Sequence, residues 1–248
     1  MKKLDLLFSL ERFIMDITIT LMKMRDPKVK HYKYPIAMEI AGATALFQRS
    51  DCGDTQVSHI TPTPSAIRGI FESILWGPDI RIVPTAVEIC APIQYHSYVT
   101  NYGGPLRAGK SIQKGNNYQL YATVLIDVCY RLYAEVMPNS CKQNLPKKAL
   151  EWDSRTTSPG HAYQEIFNRR LKRGQAFSVP VLGWKEFTPS YFGPFRPETE
   201  VCREISDITI PSMLKEVFPD GYNSDYRAVY SQELRIHKGR LNFPKEEG

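Results

Sequence analysis

A chain of 248 residues, with 42% hydrophobic and 23% charged residues, holds enough apolar material for a sizeable core, which excludes a globally disordered protein. Its 32 Lys and Arg against 26 Asp and Glu leave a net charge of +6, which suits a polyanionic partner without requiring one. Five cysteines, Cys52, Cys90, Cys129, Cys141 and Cys202, are odd in number, widely spaced and without a CxxC pair, so neither a disulfide framework nor a structural zinc site is expected; a reducing cytoplasm is the simplest home.

Along the chain, the first 24 residues carry an apolar stripe of Leu4, Leu7, Phe8, Ile14, Met15 and Leu21. Asp5, Glu11, Arg12 and Asp16 interrupt it, and no small-residue cleavage site follows, so it reads neither as a signal peptide nor as a membrane span. Residues 1–33 are expected to be an extension, or to begin at a misassigned start with Met22 or Met24 the true beginning. A strand is predicted at 34–40, ended by Gly42, and a polar loop from Gln48 to Thr61. Thr63-Pro64 is a helix start, a threonine cap before a proline at the first helical position. Ile67, Ile70, Phe71 and Ile74 follow at helical spacing up to the stop at Gly77-Pro78.

Strand segments are predicted at 80–83 and 85–90, then an exposed hairpin or long loop between Tyr95 and Asn117. The clearest strand runs from Tyr118 to Val136, where Leu120, Ala122, Val124, Ile126, Val128, Tyr130, Leu132, Ala134 and Val136 alternate strictly. A polar connector leads to a second helix over 161–173, with a stripe of Tyr163, Ile166, Phe167 and Leu171 and a stop at Gly174. A further strand is predicted at 181–187, and smaller strands near Ile208 and Leu234. This order predicts an α+β, ferredoxin-like (RRM-like) sandwich over 34–190 with an inserted hairpin, followed by a small C-terminal β region over 191–248. The alternating face of the long strand is expected to lie beneath the two helices.

No Walker A loop, GxGxxG, HExxH or GxSxG occurs, and the five histidines stand apart in sequence, so any catalysis is expected to proceed without metal or cofactor. Arg169, Arg170, Lys172 and Arg173 crowd the end of the second helix, where they suit phosphate oxygens or simply complement the helix dipole. Arg107, Lys110 and Lys114 interleave with glycines and aromatics in the predicted insertion, either to grip a nucleic-acid strand or to solubilise a surface hairpin.

Several segments, in order, resemble one family. Gly42 to Arg49, Pro62 to Ile74, Asn101 to Arg107, Ala122 to Tyr133, Glu165 to Gln175, Leu182 to Phe187 and Tyr191 to Thr199 are similar to the fifth CRISPR-associated (Cas) family in its type I-C branch. The resemblance covers roughly Tyr34 onwards. It implies an RRM-like domain that cuts CRISPR repeat RNA (pre-crRNA) without metal and stays on the guide's 5′ handle. It also implies assembly into Cascade beside the backbone and large subunits, with Arg49, Arg68, Arg107, Lys110, Lys114, Arg169, Arg170 and Arg173 on the RNA. A guide-binding subunit that does not cut is the alternative. The family uses a tyrosine near the end of the first helix and a Lys-His pair before the second; this chain has Leu75 and Ala162-Tyr163 there. His161, Tyr163 and Lys148 are therefore the expected catalytic residues, with His96 in reserve. Core packing is the alternative for Tyr163, as backbone satisfaction is for His161.

Overall fold

The computed structural model describes residues 34–53, 55–102, 118–139, 147–153, 158–219 and 225–244, and residues 34–248 form one compact unit. The expectations for residues 1–33, and for Arg107, Lys110 and Lys114, lie outside the described residues. The described elements are β1 (Tyr34–Ala45), β2 (Gln56–Val57), α1 (Pro64–Ile74), β3 (Ile80–Ile89), β4 (Tyr95–Tyr102) and β5 (Tyr118–Pro138). They continue with α2 (Lys147–Asp153), α3 (Pro159–Lys172), β6 (Tyr191–Gly193), β7 (Ile208–Glu216), β8 (Val229–His237) and β9 (Arg240–Asn242). The fold is α+β: one curled, almost wholly antiparallel sheet in the order β6-β1-β5-β3-β9-β8-β7, with α1 and α3 packed on it.

The 21-residue β5 is the spine. Its C-terminal half lies between β1 and β3, with Ile40 and Ile89 both opposite Tyr130, while its N-terminal half pairs with β4 and, in parallel, with β2. The alternation read from the sequence holds for Ala122, Val124, Val128, Tyr130, Leu132, Ala134 and Val136, which are buried with Ile36, Met38 and Ile40 of β1; it breaks in between, where Leu125 is buried, Ile126 is half-buried and Asp127 has φ 51°, and Leu120 is half-buried. These residues face α1, which buries Ile67, Ile70, Phe71 and Ile74, and α3, which buries Tyr163, Phe167 and Leu171. The start of α1 is capped as expected, the Thr63 hydroxyl accepting from the Ala66 amide at 3.1 Å. Gly174, at φ 63°, ends α3. Pro84, which has no amide to donate, sits where the β3–β5 register shifts, so the two predicted segments form one bulged strand.

The opposite face of the sheet carries a row of charge. Glu39, Arg131 and Glu88 are in register on β1, β5 and β3, and Glu39 is fully buried. The segment after β6 covers Glu39: the Arg196 amide and guanidinium donate to it at 3.0 and 2.6 Å, and the Thr199 hydroxyl at 2.9 Å. Burial pushes the Glu39 carboxyl up, but these donors and the Arg196 charge outweigh it and hold the group below its ordinary value.

The expected strand at 181–187 is a tight loop instead, closed by the Leu182 amide on the Phe187 carbonyl at 2.8 Å. The physical reason is Gly183, at φ 97°, packed so closely that a Cβ would lie 1.7 Å from the Leu46 carbonyl oxygen. The sheet edge beside β1 is taken by β6, ten residues further on, with Phe192 opposite Ile40. Gly183→Ala combines a disfavoured backbone conformation with a clash against main chain, so it is expected to destabilise the protein by about 3 kcal/mol or more. Equilibrium urea unfolding of the two proteins measures this, and an unchanged midpoint would refute it.

Candidate functional site

The α1–α3 junction is where the resemblance places chemistry. His161 is exposed on the first turn of α3, its ring 6.0 Å from that of Tyr34. Tyr163, two residues on, points to a different side of the helix and is only 3% exposed. It stacks on Phe167 and donates its hydroxyl to the Leu75 carbonyl, and burial raises the phenol far above its ordinary value. Tyr163 is thus a core residue that closes the end of α1, not a surface acid or base. Lys148 lies exposed on α2, and no described contact joins it to His161. His96, the reserve candidate, is exposed on β4, opposite Val124.

The predicted cations separate into two kinds. Arg169, Lys172 and Arg173 are exposed at the C-terminal end of α3. Arg170 is half-buried and donates to the Ile74 carbonyl at 2.9 Å, capping α1 from the neighbouring helix. Arg68 is likewise internal, 17% exposed: it donates to the Ile82 carbonyl at 3.0 Å and lies 3.2 Å from Glu216, which also pairs with Arg81 at 3.0 Å. That carboxylate is 4% exposed and ties α1 and β3 to β7, so Arg68 is committed to the fold and not displayed to a ligand. Arg49 grips Asp51 with two parallel bonds, at 3.0 and 2.6 Å.

That pair stands beside a cleft of about 240 Å³ between the 48–60 segment, Tyr95 and β7. The segment expected to be a polar loop is in fact partly internal, with Ser58 and Thr61 buried. Its backbone is fastened by Arg49 amide to Val57 carbonyl at 3.0 Å and His59 amide to Phe47 carbonyl at 2.7 Å. His59, 7% exposed, lines the cleft, and its Nε2 has no hydrogen-bond partner among the described residues. Burial, with a smaller contribution from the Arg49 charge, pulls its pKa down to about 4, so the ring is neutral at physiological pH. Sequence reading missed this histidine because nothing in its spacing marks it; only the fold sets it beside Asp51 and Tyr95. Among the described residues no group of three or more His, Cys, Asp or Glu is arranged to hold a metal ion, and no helix is long and apolar enough to cross a membrane.

Residues 36–237 match the family described as CRISPR-associated protein (Cas_Cas5). The chain belongs to the Cas5 family. It is 30% identical over 167 residues to a CRISPR pre-crRNA endoribonuclease Cas5d of Thermus thermophilus, covering 67% of this chain and 66% of that protein. It is 31% identical over 172 residues to a protein of the same name from Mannheimia succiniciproducens, covering 63% and 71%. The matches thus span about two thirds of each relative's length. Two solved structures share the fold: a CRISPR-associated protein (TM-score 0.63, 17% identity, 87% of this chain and 95% of that one) and a functionally uncharacterized protein from Streptococcus mutans (TM-score 0.60, 18% identity, 86% and 94%).

Leu75 and Tyr163, far apart in sequence, touch each other through the Tyr163 hydroxyl and the Leu75 carbonyl.

The state of His59 gives stability a pH dependence. The unfolded chain protonates this ring near its ordinary 6.5, whereas the folded chain resists protonation down to about 4. Folded stability is therefore full above 6.5 and declines through that window, by about 3 kcal/mol for a ring this buried. Parallel urea titrations of the native protein and His59→Gln at pH 6.5 and pH 4 are expected to show the flatter response in the variant. Equal slopes in both would contradict it.

Proposed function

We propose that this Cas5-family protein is a metal-independent endoribonuclease that processes CRISPR repeat RNA. In this reading it stays on the 5′ handle of the guide and joins the backbone and large subunits of a Cascade complex in the cytoplasm. The observation that carries the reading is kinship at about 30% identity to two proteins named CRISPR pre-crRNA endoribonucleases, within a family match that spans the folded unit. The neighbour order β6-β1-β5-β3, built from β1-α1-β3-β5-α3-β6, supports a ferredoxin-like, RRM-like core, with β4 as part of an inserted hairpin and β7–β9 as the C-terminal addition.

The chemistry needs no metal in principle. A ribose 2′-hydroxyl attacks its own adjacent phosphate, a base takes the hydroxyl proton, and the bond from phosphorus to the 5′ oxygen breaks as an acid protonates that oxygen. Cations offset the charge that builds on the phosphate oxygens. His161 is the acid–base residue of this proposal, since it is exposed at the start of α3 on the helix that also displays Arg169, Lys172 and Arg173. Lys148 and the Arg107, Lys110 and Lys114 stretch would add phosphate contacts. The second reading, a guide-binding subunit that does not cut, is favoured by the burial of Tyr163 against Leu75.

Labelled repeat RNA in EDTA decides between them. Cleavage is expected, and a 2′-deoxy substitution at the scissile ribose should abolish it. His161→Ala should slow cutting by about 10²–10⁴-fold with binding little changed. Tight binding without cleavage by the intact protein supports the non-cutting subunit.

Binding should separate the two kinds of arginine. Charge reversal at Arg169 and Arg173 is expected to reduce the slope of log affinity against log salt by roughly 0.7 for each lost phosphate contact. Arg68→Ala should leave that slope unchanged and instead lower stability by about 2 kcal/mol or more, because Glu216 keeps only part of its pairing. The opposite assignment of effects would show Arg68 on the RNA.

A further inference from the structure

Two half-buried cysteines, 39 residues apart in the chain, face each other across the sheet. The antiparallel register of β3 and β5 sets Ile89 opposite Tyr130, and one residue further on the Cys90 amide donates to the Cys129 carbonyl at 2.8 Å. Hydrogen-bonded cross-strand positions hold their Cα atoms about 5.5 Å apart, inside the roughly 4.4–6.8 Å that a disulfide spans. Both residues belong to the face that carries the charge row. The Cys129 Sγ lies 3.8 Å from Glu39 Oε1 and 3.8 Å from Arg196 Nη2.

The two sulfurs are not equivalent. The Cys90 thiol donates to the Cys129 sulfur, and this bond, helped by the Arg196 charge, holds the Cys129 thiol below its ordinary value against burial and the Glu39 charge. The same bond, with burial, pushes Cys90 up, so the thiolate of the pair resides on Cys129. Glu39 opposes it only in part, because Arg196 and Thr199 already donate to that carboxylate. A sulfur with thiolate character, open in part to solvent and set beside a second thiol, is the arrangement of a redox-sensitive pair.

We propose that Cys90 and Cys129 are a reversible modification site, at which hydrogen peroxide oxidises the two thiols to a disulfide that joins β3 to β5. The Cys129 thiolate attacks one peroxide oxygen; an S–O bond forms, the O–O bond breaks, and hydroxide leaves with a sulfenic acid on Cys129. That hydroxide takes the Cys90 proton and becomes water. The Cys90 thiolate then attacks the Cys129 Sγ, an S–S bond forms, and the sulfenic oxygen leaves as hydroxide, which is protonated to a second water. The pair gives up two electrons, and peroxide is reduced to two waters. Glutathione reverses the modification by thiol–disulfide exchange, two of its thiols being oxidised for each disulfide reduced. In a reducing compartment the bond is therefore transient, a signal and not a structural staple.

The full-length protein is reduced, freed of reductant, treated with hydrogen peroxide, blocked at its remaining thiols and digested for mass spectrometry without reduction. The free thiols of Cys90 and Cys129 are expected to be lost together, with the peptides that carry them joined, and glutathione should restore both. Cys90→Ser should stop at the sulfenic acid on Cys129, trapped as its dimedone adduct. Cys129→Ser should lose the linkage and leave Cys90 without an adduct, whereas Cys202→Ser should keep the linkage. The intact protein tests the linkage by itself, so a variant that fails to fold does not leave the outcome open. Both thiols still free after peroxide, or a disulfide that joins either of them to Cys52, Cys141 or Cys202, overturns the proposal. A sulfenic acid trapped on Cys90 and not on Cys129 overturns the assigned order of attack.

Discussion

The molecule depends on one unbroken 21-residue strand. Because side chains alternate with a period of two, β5 commits Val128, Tyr130, Leu132, Ala134 and Val136 to one face, and Ala122 and Val124 beyond the irregularity at Leu125–Asp127 are buried as well. That face needs more cover than one helix can supply, so α1 and α3 lie side by side on it. The same strand is too long for any single pair of neighbours. Its two halves take different partners, β1 and β3 at one end, β4 and β2 at the other. The positions where chemistry is expected follow from this division: His161 opens the helix that covers β1 and β5, and the cleft with His59 lies beside the other half of the strand.

Charge in this protein has two destinations, and sequence composition does not tell them apart. Arg68, Arg81 and Glu216 fasten α1 and β3 to β7, and Arg196 seals Glu39 beneath the segment after β6. Each buried carboxylate is stable there only because its cations come with it, since an isolated charge would remain in water or neutralise. The arginines that remain at the surface, Arg169 and Arg173 among those described, are the ones available to a polyanion. The count of 32 Lys and Arg therefore includes cations committed to internal carboxylates as well as those displayed at the surface.

Membership of the Cas5 family and the fold of this chain agree, and at the junction of α1 and α3 Tyr163 is packed into the core. A tyrosine that fills the core and bonds the end of the first helix cannot also present its hydroxyl to a scissile phosphate. That shifts the acid–base burden in the proposed reaction to His161. It also makes the non-cutting subunit a physically coherent second reading and not merely a formal one.

Periodicity alone was enough to determine the long strand, both principal helices with their cap at Thr63 and stop at Gly174, and the burial of the residues between them, because hydrophobic spacing is a local record of which face meets the core. The segment resemblance was enough to determine the family. What only the tertiary structure decided depends on approach between distant parts of the chain. The predicted strand at 181–187 became a loop because Gly183 lies against the Leu46 carbonyl. Arg68 and Arg170 turned inward because Glu216 and the Ile74 carbonyl were waiting there, 148 and 96 residues away in sequence. His59 gained its neutral, unpartnered state from walls contributed by β7, about 150 residues later. No local pattern encodes those distances, since they arise only when segments far apart in the chain pack against one another in the fold.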